Sequence, residues 1–238
     1  MLLPAPIQPA LFQDRRKRFL ADCLFPDGRV ETIHCPNSGS LRSCLEPGCP
    51  VLLSYHPEKG RSTRYTLEWS RMSDTWIGIH SRIANDLVLE ALQNQAIPGL
   101  ETYESLERER PFGNGRRVDF LLSREDQRCY LEVKSVTFLN DDGILKFPDA
   151  VTVRGRHHID ALIEERQRGS RAVLLFLVQR ADGLAVAPAE EIDPDYADAM
   201  RRALREGVEI RAFRAEIFPP EMRVGQELPV LSHAPSRK

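Results

Sequence analysis

The sequence predicts a mixed α/β protein (α+β / α/β) in two parts. A small β-barrel over residues 1–82 is followed by a domain over residues 83–238 with the order α-β-β-β-α-β. Three observations predict this. Residues 1–82 hold short apolar runs between Gly/Pro/Ser punctuation and no sustained helical period. A 3.6-residue period then appears at Arg82 and recurs between strand-like runs. Finally, Ala172–Val178 is apolar without interruption, the mark of a strand buried on both faces.

In the first part, Phe19–Phe25 and Arg29–His34 flank Pro26-Asp27-Gly28. Asp-Gly between apolar runs is a hairpin signal, because both positions tolerate positive φ. Further strands are expected at Val51–Tyr55, Arg64–Trp69 and Trp76–Ile79. About five short strands in some 80 residues suggest an oligonucleotide-binding type of barrel. Trp69 and Trp76 are read as core residues before base-stacking ones.

In the second part, Ser81 is placed to cap a helix from Arg82 to about Gln95, with Ile83, Leu87, Val88, Ala91 and Leu92 as its apolar stripe. Strands follow at Tyr103–Glu109, Arg117–Leu122 and Cys129–Val136. A helix then runs from about Arg154 to Gln167, ended at Gly169, and leads into the apolar strand. A second helix near Tyr196–Arg205, a Gly207 stop and a strand near Val208–Phe213 complete the pattern. The last dozen residues are expected to be loosely ordered.

Composition narrows the function. The chain has 238 residues and a formal net charge of −2, so long-range steering is weak and any polyanion must be held by local patches. Residues 1–82 carry 11 Lys/Arg and 8 Asp/Glu, while residues 83–238 carry 22 and 27. No window holds the ~18 apolar residues of a membrane helix, so no membrane partner is expected. The first ten residues lack a secretory signal pattern, and five cysteines with no CxxC fit reduced thiols. A cytoplasmic location is therefore expected. There is no GxGxxG and no P-loop, which disfavours a nucleotide-cofactor enzyme on a small metabolite.

The hairpin over 117–136 is the most informative stretch. With its turn in Ser123–Arg128, facing residues have numbers summing to about 251, so Asp119 lies opposite Glu132. Asp119, Glu132 and Lys134 then project from one face, and Val118, Phe120, Leu131 and Val133 from the other, into a core. Two opposed carboxylates repel unless a cation sits between them. Such a pair suits Mg2+ or Mn2+, with Lys134 placed to hold a water or neutralise phosphate charge. The competing reading is a cross-strand charge network on a solvated face.

D-x12-E-x-K on a hairpin inside α-β-β-β-α-β resembles the PD-(D/E)xK nuclease superfamily. The chain as a whole is similar to the bacterial and archaeal sugar fermentation stimulation protein A family. The segments that carry this are KRFLADC (17–23), HCPNSGS (34–40), RVDF (117–120), YLEVKSVT (130–137) and FPDA followed by T-x-RG-x-x-H (147–158). The resemblance implies an N-terminal oligonucleotide-binding barrel, a restriction-endonuclease-like second domain and DNA as partner. It makes Asp119 and Glu132 metal ligands for Mg2+ (or Mn2+) and Lys134 the catalytic lysine. A third acid is expected from the preceding helix: Glu90, with Asp86 as rival.

Helix N-termini attract phosphate, so Arg154, Arg156 and His158 are candidate nucleic-acid contacts, while Asp149 stands as a possible helix cap. His157 and His158 are read as structural or surface residues. The basic run Arg15-Arg16-Lys17-Arg18, beside Phe12 and Phe19, is a candidate groove for a nucleic-acid backbone. The expected function is a metal-dependent nuclease. The alternative is a non-catalytic DNA-binding regulator of sugar-use genes on the same scaffold, since the family is described as regulatory. Strandedness and oligomeric state stay open, a homo-oligomer included.

Overall fold

A computed structural model describes residues 1–238 apart from 4–5, 58–59, 61, 114 and 234–238. The first part is built from six strands: β1 (Ile7–Arg16), β2 (Leu20–Leu24), β3 (Val30–His34), β4 (Pro50–Tyr55), β5 (Tyr65–Met72) and β6 (Thr75–Gly78). Their order is β3-β2-β1-β4-β5-β6, and a parallel bridge from His34 to Thr66 brings β3 against β5 to close the sheet. Inward residues such as Phe12, Cys23, Ile33, Leu53, Leu67 and Ile77 fill the interior. The expected turn forms at Asp27-Gly28, where Gly28 has φ +86°. Strand β1 escaped the sequence reading because Pro9 and the charges at 14–16 mask its alternation. Ala10 and Phe12 are nevertheless buried between exposed neighbours.

The second part runs α1 (Ile83–Gln93), β7 (Ser105–Phe112), β8 (Arg116–Arg124), β9 (Gln127–Val136), β10 (Phe138–Leu139), β11 (Ile144–Phe147), α2 (Val153–Gln167), β12 (Arg171–Val178), β13 (Ala185–Pro188), α3 (Pro194–Arg205), β14 (Glu209–Phe218) and β15 (Glu221–Leu228). The main sheet has the order β15-β14-β12-β9-β8-β7, with β9, β12 and β14 parallel and the edges antiparallel. Strands β10, β11 and β13 form a small side sheet. One face of the main sheet, with Phe120, Leu131, Val133 and Leu175, packs on α1. The other, with Leu121, Tyr130, Leu174 and Phe176, packs under α2 and α3. No described helix is long and apolar enough to cross a membrane.

Three local expectations are corrected. Ser81 does not cap α1; its hydroxyl donates to the Pro36 carbonyl instead. Asp149 does not cap α2, because Thr152 does, accepting from the Gly155 N–H at 3.0 Å. The last dozen residues are not uniformly loose: β15 reaches Leu228 and Val230 bridges Val186. Residues 234–238 of that stretch lie outside the described set.

The two parts are clamped together. Arg180, buried at the end of β12, donates through Nη1 to the carbonyls of Ser43 (3.0 Å) and Thr137 (2.9 Å). It also makes a forked pair with Asp182 at 2.6 and 2.8 Å. Trp69, from the barrel, is fully buried in the core under α1, and its indole N–H points at the Met222 sulfur.

Candidate active site

The β8–β9 ladder has the register expected from the sequence, with Phe120 opposite Leu131 and Arg124 opposite Gln127. Its named pairs stop at Phe120, one residue before the first acid. There the Asp119 carboxylate takes the place of a ladder partner: Oδ2 accepts the Val133 N–H at 2.7 Å. Asn85, on α1, donates to Oδ1 at 2.7 Å. On the other side β9 continues against β12, with Glu132 opposite Leu174 and Lys134 opposite Phe176. Beside Asp119 in β7, Glu109 is held in the left-handed region at φ +53°, a conformation that non-glycine residues rarely keep without local constraint.

The acidic face is not solvated, contrary to the cross-strand-network reading. Glu132 is only 2% exposed. Its face also carries Tyr130 and Val136, which pack in the core beneath α2. A central strand of a helix-covered sheet is buried on both faces, so Glu132 is enclosed, and Asp119 and Lys134 beside it are half-buried.

Enclosure sets the electrostatics. Burial and the facing Glu132 charge push the Asp119 carboxyl up to about 6, against the pull of the Val133 N–H, Lys134 and Asn85. Burial also opposes the charge on Glu132. Lys134 and His158 outweigh it, holding that carboxyl below its ordinary range. Lys134 Nζ donates to Glu132 Oε1 at 2.5 Å, and His158 Nδ1 closes on the same oxygen. Arg154 Nε donates to His158 Nε2 at 3.4 Å. These contacts select the histidine tautomer with hydrogen on Nδ1. Glu132 Oε2, by contrast, is buried with no hydrogen-bond partner.

These groups open into a cleft of about 490 Å³ between the two parts of the chain. From the second part of the chain it is lined by Asp119, Glu132, Lys134, Lys146, Arg117, Arg154 and residues 148–152. The barrel contributes Arg18 and residues 37–39. Asn37 shapes that loop by donating to the Ile79 carbonyl and accepting the Gly39 N–H, both at 2.8 Å. Asp149 Oδ2 accepts the Ser40 N–H at 2.8 Å. A Cβ on Gly39 would lie 2.0 Å from that same oxygen, so only glycine allows this approach.

The cleft brings together Asp119, Glu132, Lys134, Arg154 and Arg18. It leaves out the other sequence candidates. Glu90 is partly exposed and pairs with the Met1 ammonium at 2.6 Å, while Asp86 pairs with Arg108 at 3.2 Å. The residue α1 offers is Asn85; Glu90, five residues on at about 100° per residue, lies some 140° around the helix. Arg15 is spent on the carbonyls of Gly39 (2.7 Å) and Asn37 (2.6 Å). Arg16 pairs with Asp22 at 2.6 Å, and Lys17 is not among the cleft residues. Arg156, about 200° around α2 from Arg154, pairs instead with Asp195.

Sequence reasoning missed Asn85 and Lys146, and it offered His158 as a phosphate contact rather than as the partner of Glu132. The only signal for His158 was the T-x-RG-x-x-H segment, whose four-residue spacing puts Arg154 and His158 on one face of α2.

The fold and the site define a class: a barrel joined to a helix-flanked mixed sheet, with one buried and one half-buried carboxylate and a lysine in the cleft between them. Residues 14–79 match the family described as the SfsA N-terminal OB domain, and residues 82–221 the sugar fermentation stimulation protein RE domain. The chain belongs to the sugar fermentation stimulation protein family.

A sugar fermentation stimulation protein homolog of Acidithiobacillus ferrooxidans is 46% identical over 232 residues, covering 97% of this chain and 100% of the relative. One from Geotalea uraniireducens is 44% identical over 230 residues, covering 97% and 99%. The solved structure of Pyrococcus furiosus SfsA in complex with Ca2+ superposes with a TM-score of 0.86 at 28% identity, covering 97% of this chain and 98% of that one.

Proposed function

We propose that this chain is a divalent-metal-dependent phosphodiesterase acting on nucleic acid, with DNA as its expected substrate. One observation carries the reading: a buried and a half-buried carboxylate share a site whose negative charge is incompletely compensated. Glu132 Oε2 has no partner and Asp119 holds its proton to about pH 6. Their hard oxygen donors fit Mg2+ or Mn2+. Mg2+ takes one or two protein carboxylates and keeps several waters, and Asp119 and Glu132 supply two; among the described residues no group of three or more His, Cys, Asp and Glu adds to them. The Pyrococcus furiosus relative, solved with Ca2+, supports a divalent ion in this family.

When bound, such a metal supplies Lewis-acid polarisation of a phosphoryl oxygen. The remaining work falls to the chain. Val133 N–H and Asn85 orient Asp119, and His158 orients Glu132. Lys134, anchored on Glu132, places a compact positive charge where phosphate charge grows in an in-line displacement. Arg154 holds the phosphate in the cleft, while Lys146, buried beside it, is paired with Glu191 at 3.5 Å. A second reading, nucleic-acid binding without cleavage, is favoured by the cationic side chains on the rim alone. It predicts salt-dependent binding insensitive to EDTA and no cleavage with any metal.

The Asp119 shift yields a signed prediction. Its carboxyl holds a proton more tightly in the folded protein than in the unfolded chain, so its contribution to stability is lost as pH rises from 3.8 to about 6 and stays lost above that. A cation must displace that proton. Mg2+, Mn2+ or Ca2+ is therefore expected to raise the thermal midpoint by several degrees at pH 7.5, and the gain is expected to fade as pH falls through about 6. Differential scanning calorimetry with and without EDTA reads this out. A midpoint unmoved by any divalent ion at pH 7.5 defeats the metal assignment. Cleavage of labelled DNA with Mg2+ or Mn2+, abolished by EDTA, tests the activity.

A further inference from the structure

We infer that Ser135 is a further substrate contact, donating a hydrogen bond from its hydroxyl to a phosphate oxygen in the cleft, and that buried Gln179 is the residue that positions it. This rests on the phosphodiesterase reading for the substrate; the contact itself follows from which donors and acceptors are already paired.

Ser135 follows Lys134 on β9, is half-buried, and borders the same cleft. Successive side chains of a strand point to opposite faces. Ser135 therefore comes from the face that packs on α1, with Val133 and Leu177, while Lys134 comes from the other. In the ladder Ser135 lies opposite Leu177. Gln179, just past the end of β12, reaches back to it: Nε2 donates to Ser135 Oγ at 2.7 Å.

A serine hydroxyl has one hydrogen to donate and two acceptor sites. The amide makes Ser135 Oγ an acceptor, so its hydrogen stays available. The same Nε2 donates to the His80 carbonyl at 3.5 Å, which keeps the amide this way round; turned over, its oxygen would face the carbonyl oxygen. Among the described residues none accepts from the Ser135 hydroxyl. The Ser81 hydroxyl in the same cleft is, by contrast, engaged by the Pro36 carbonyl at 3.1 Å.

Packing alone does not account for Gln179. The residue is 0% exposed, and its Oε1 has no hydrogen-bond partner. An unsatisfied buried polar atom lowers stability in a way that an apolar side chain of the same shape avoids. The neighbourhood is nonetheless built around this amide. Gly78 ends β6 beside it, and a Cβ there would stand 2.4 Å from Oε1. The Gly78 N–H donates to the Gln179 carbonyl at 2.8 Å, and the Gln179 N–H donates to the Val136 carbonyl at 2.9 Å. Strands β6 and β9 thus fix the backbone from which the amide addresses Ser135. The short contact of that side chain goes to a residue of the cleft, and setting the direction of the hydroxyl is what it accomplishes there.

The test uses the full chain and a fluorescein-labelled DNA 12-mer, single-stranded and duplex. Cleavage in Mg2+ gives kcat and KM, anisotropy in Ca2+ gives affinity, and a thermal melt accompanies each variant. Ser135→Ala is expected to lower kcat/KM about tenfold, as for a hydrogen bond to a charged group, and Ser135→Thr to recover most of it. Gln179→Met is expected to lower kcat/KM several-fold while its thermal midpoint holds or rises by a few degrees. The double variant Ser135→Ala with Gln179→Met is expected to lose no more than Ser135→Ala alone, because the amide acts through the hydroxyl.

Full kcat/KM in Ser135→Ala, or no recovery in Ser135→Thr, overturns the contact. A Gln179→Met loss that adds in full to that of Ser135→Ala, or that accompanies a midpoint lowered by more than about 4 °C, overturns the positioning role. A wild type that cleaves neither probe in Mg2+ or Mn2+ overturns the phosphodiesterase reading by itself. Affinity in Ca2+ then decides the contact: Ser135→Ala is expected to bind threefold or more weakly, and equal affinity, or no binding by the wild type, overturns it.

Discussion

Lys134→Arg is expected to lower metal-dependent cleavage about 100-fold or more, with a loss of about 1–3 kcal/mol in stability from overpacking the site. The loss of one preorganised charge-stabilising donor typically costs about 10²–10³ in rate. Arginine keeps the charge, but spreads it over a planar fork longer than the ammonium it replaces. Lys134 is largely buried and its Nζ sits 2.5 Å from Glu132 Oε1, beside His158 on the same oxygen. A guanidinium has no room to preserve both contacts and still face the cleft. Only five of the 33 basic residues are lysines, so the ammonium here contrasts with the habit of the chain.

Glu132→Gln should be at least as severe, since it removes the charge that Lys134 and His158 both address. A single-turnover assay alongside a thermal melt separates the chemical loss from misfolding. Full activity in both variants would remove Glu132 and Lys134 from the mechanism.

Arg180→Leu carries the largest expected loss of stability, about 3 kcal/mol, because it leaves buried acceptors without their donor. Arg180 is 3% exposed and serves Ser43 and Thr137 across the junction of the two parts. It also overcomes the burial that opposes the Asp182 charge and holds that carboxyl below its ordinary range. For a chain of this size a 3 kcal/mol loss lowers the midpoint by about 6–12 °C. Asp182→Asn, which keeps the inter-part bonds, should cost less. Thermal denaturation decides the matter: a shift under about 2 °C for Arg180→Leu would show that the carbonyls find other partners.

The hairpin was legible because its physics is local. Register follows from a short turn and an alternating apolar face, so Asp119, Glu132 and Lys134 could be placed on one side from their numbers alone. What sequence could not show was that this side is also buried. That depends on α2 folding back over the sheet, as it does to bring His158, 26 residues further along, onto Glu132. The third acid failed for a related reason. The apolar stripe of α1 identifies which side of the helix is buried, but not which polar neighbour of that stripe points at the hairpin. The answer was Asn85, and Glu90 turned away to the Met1 ammonium.

The amino-acid sequence by itself determined the alternation that makes the barrel, the helical periods of α1, α2 and α3, the hairpin and its acid–acid–lysine face, and the family to which the chain belongs. Tertiary structure alone decided which charges are free. Arg15, Arg16 and Arg18 are near-identical neighbours in sequence, yet two are absorbed by carbonyls and a carboxylate and one faces the cleft. Arg154 and Arg156 divide in the same way, by their angle around α2. Patterns within one element follow from chain geometry over a few residues. The partner a charged side chain finds is set by elements far away in the chain, and appears only once they pack.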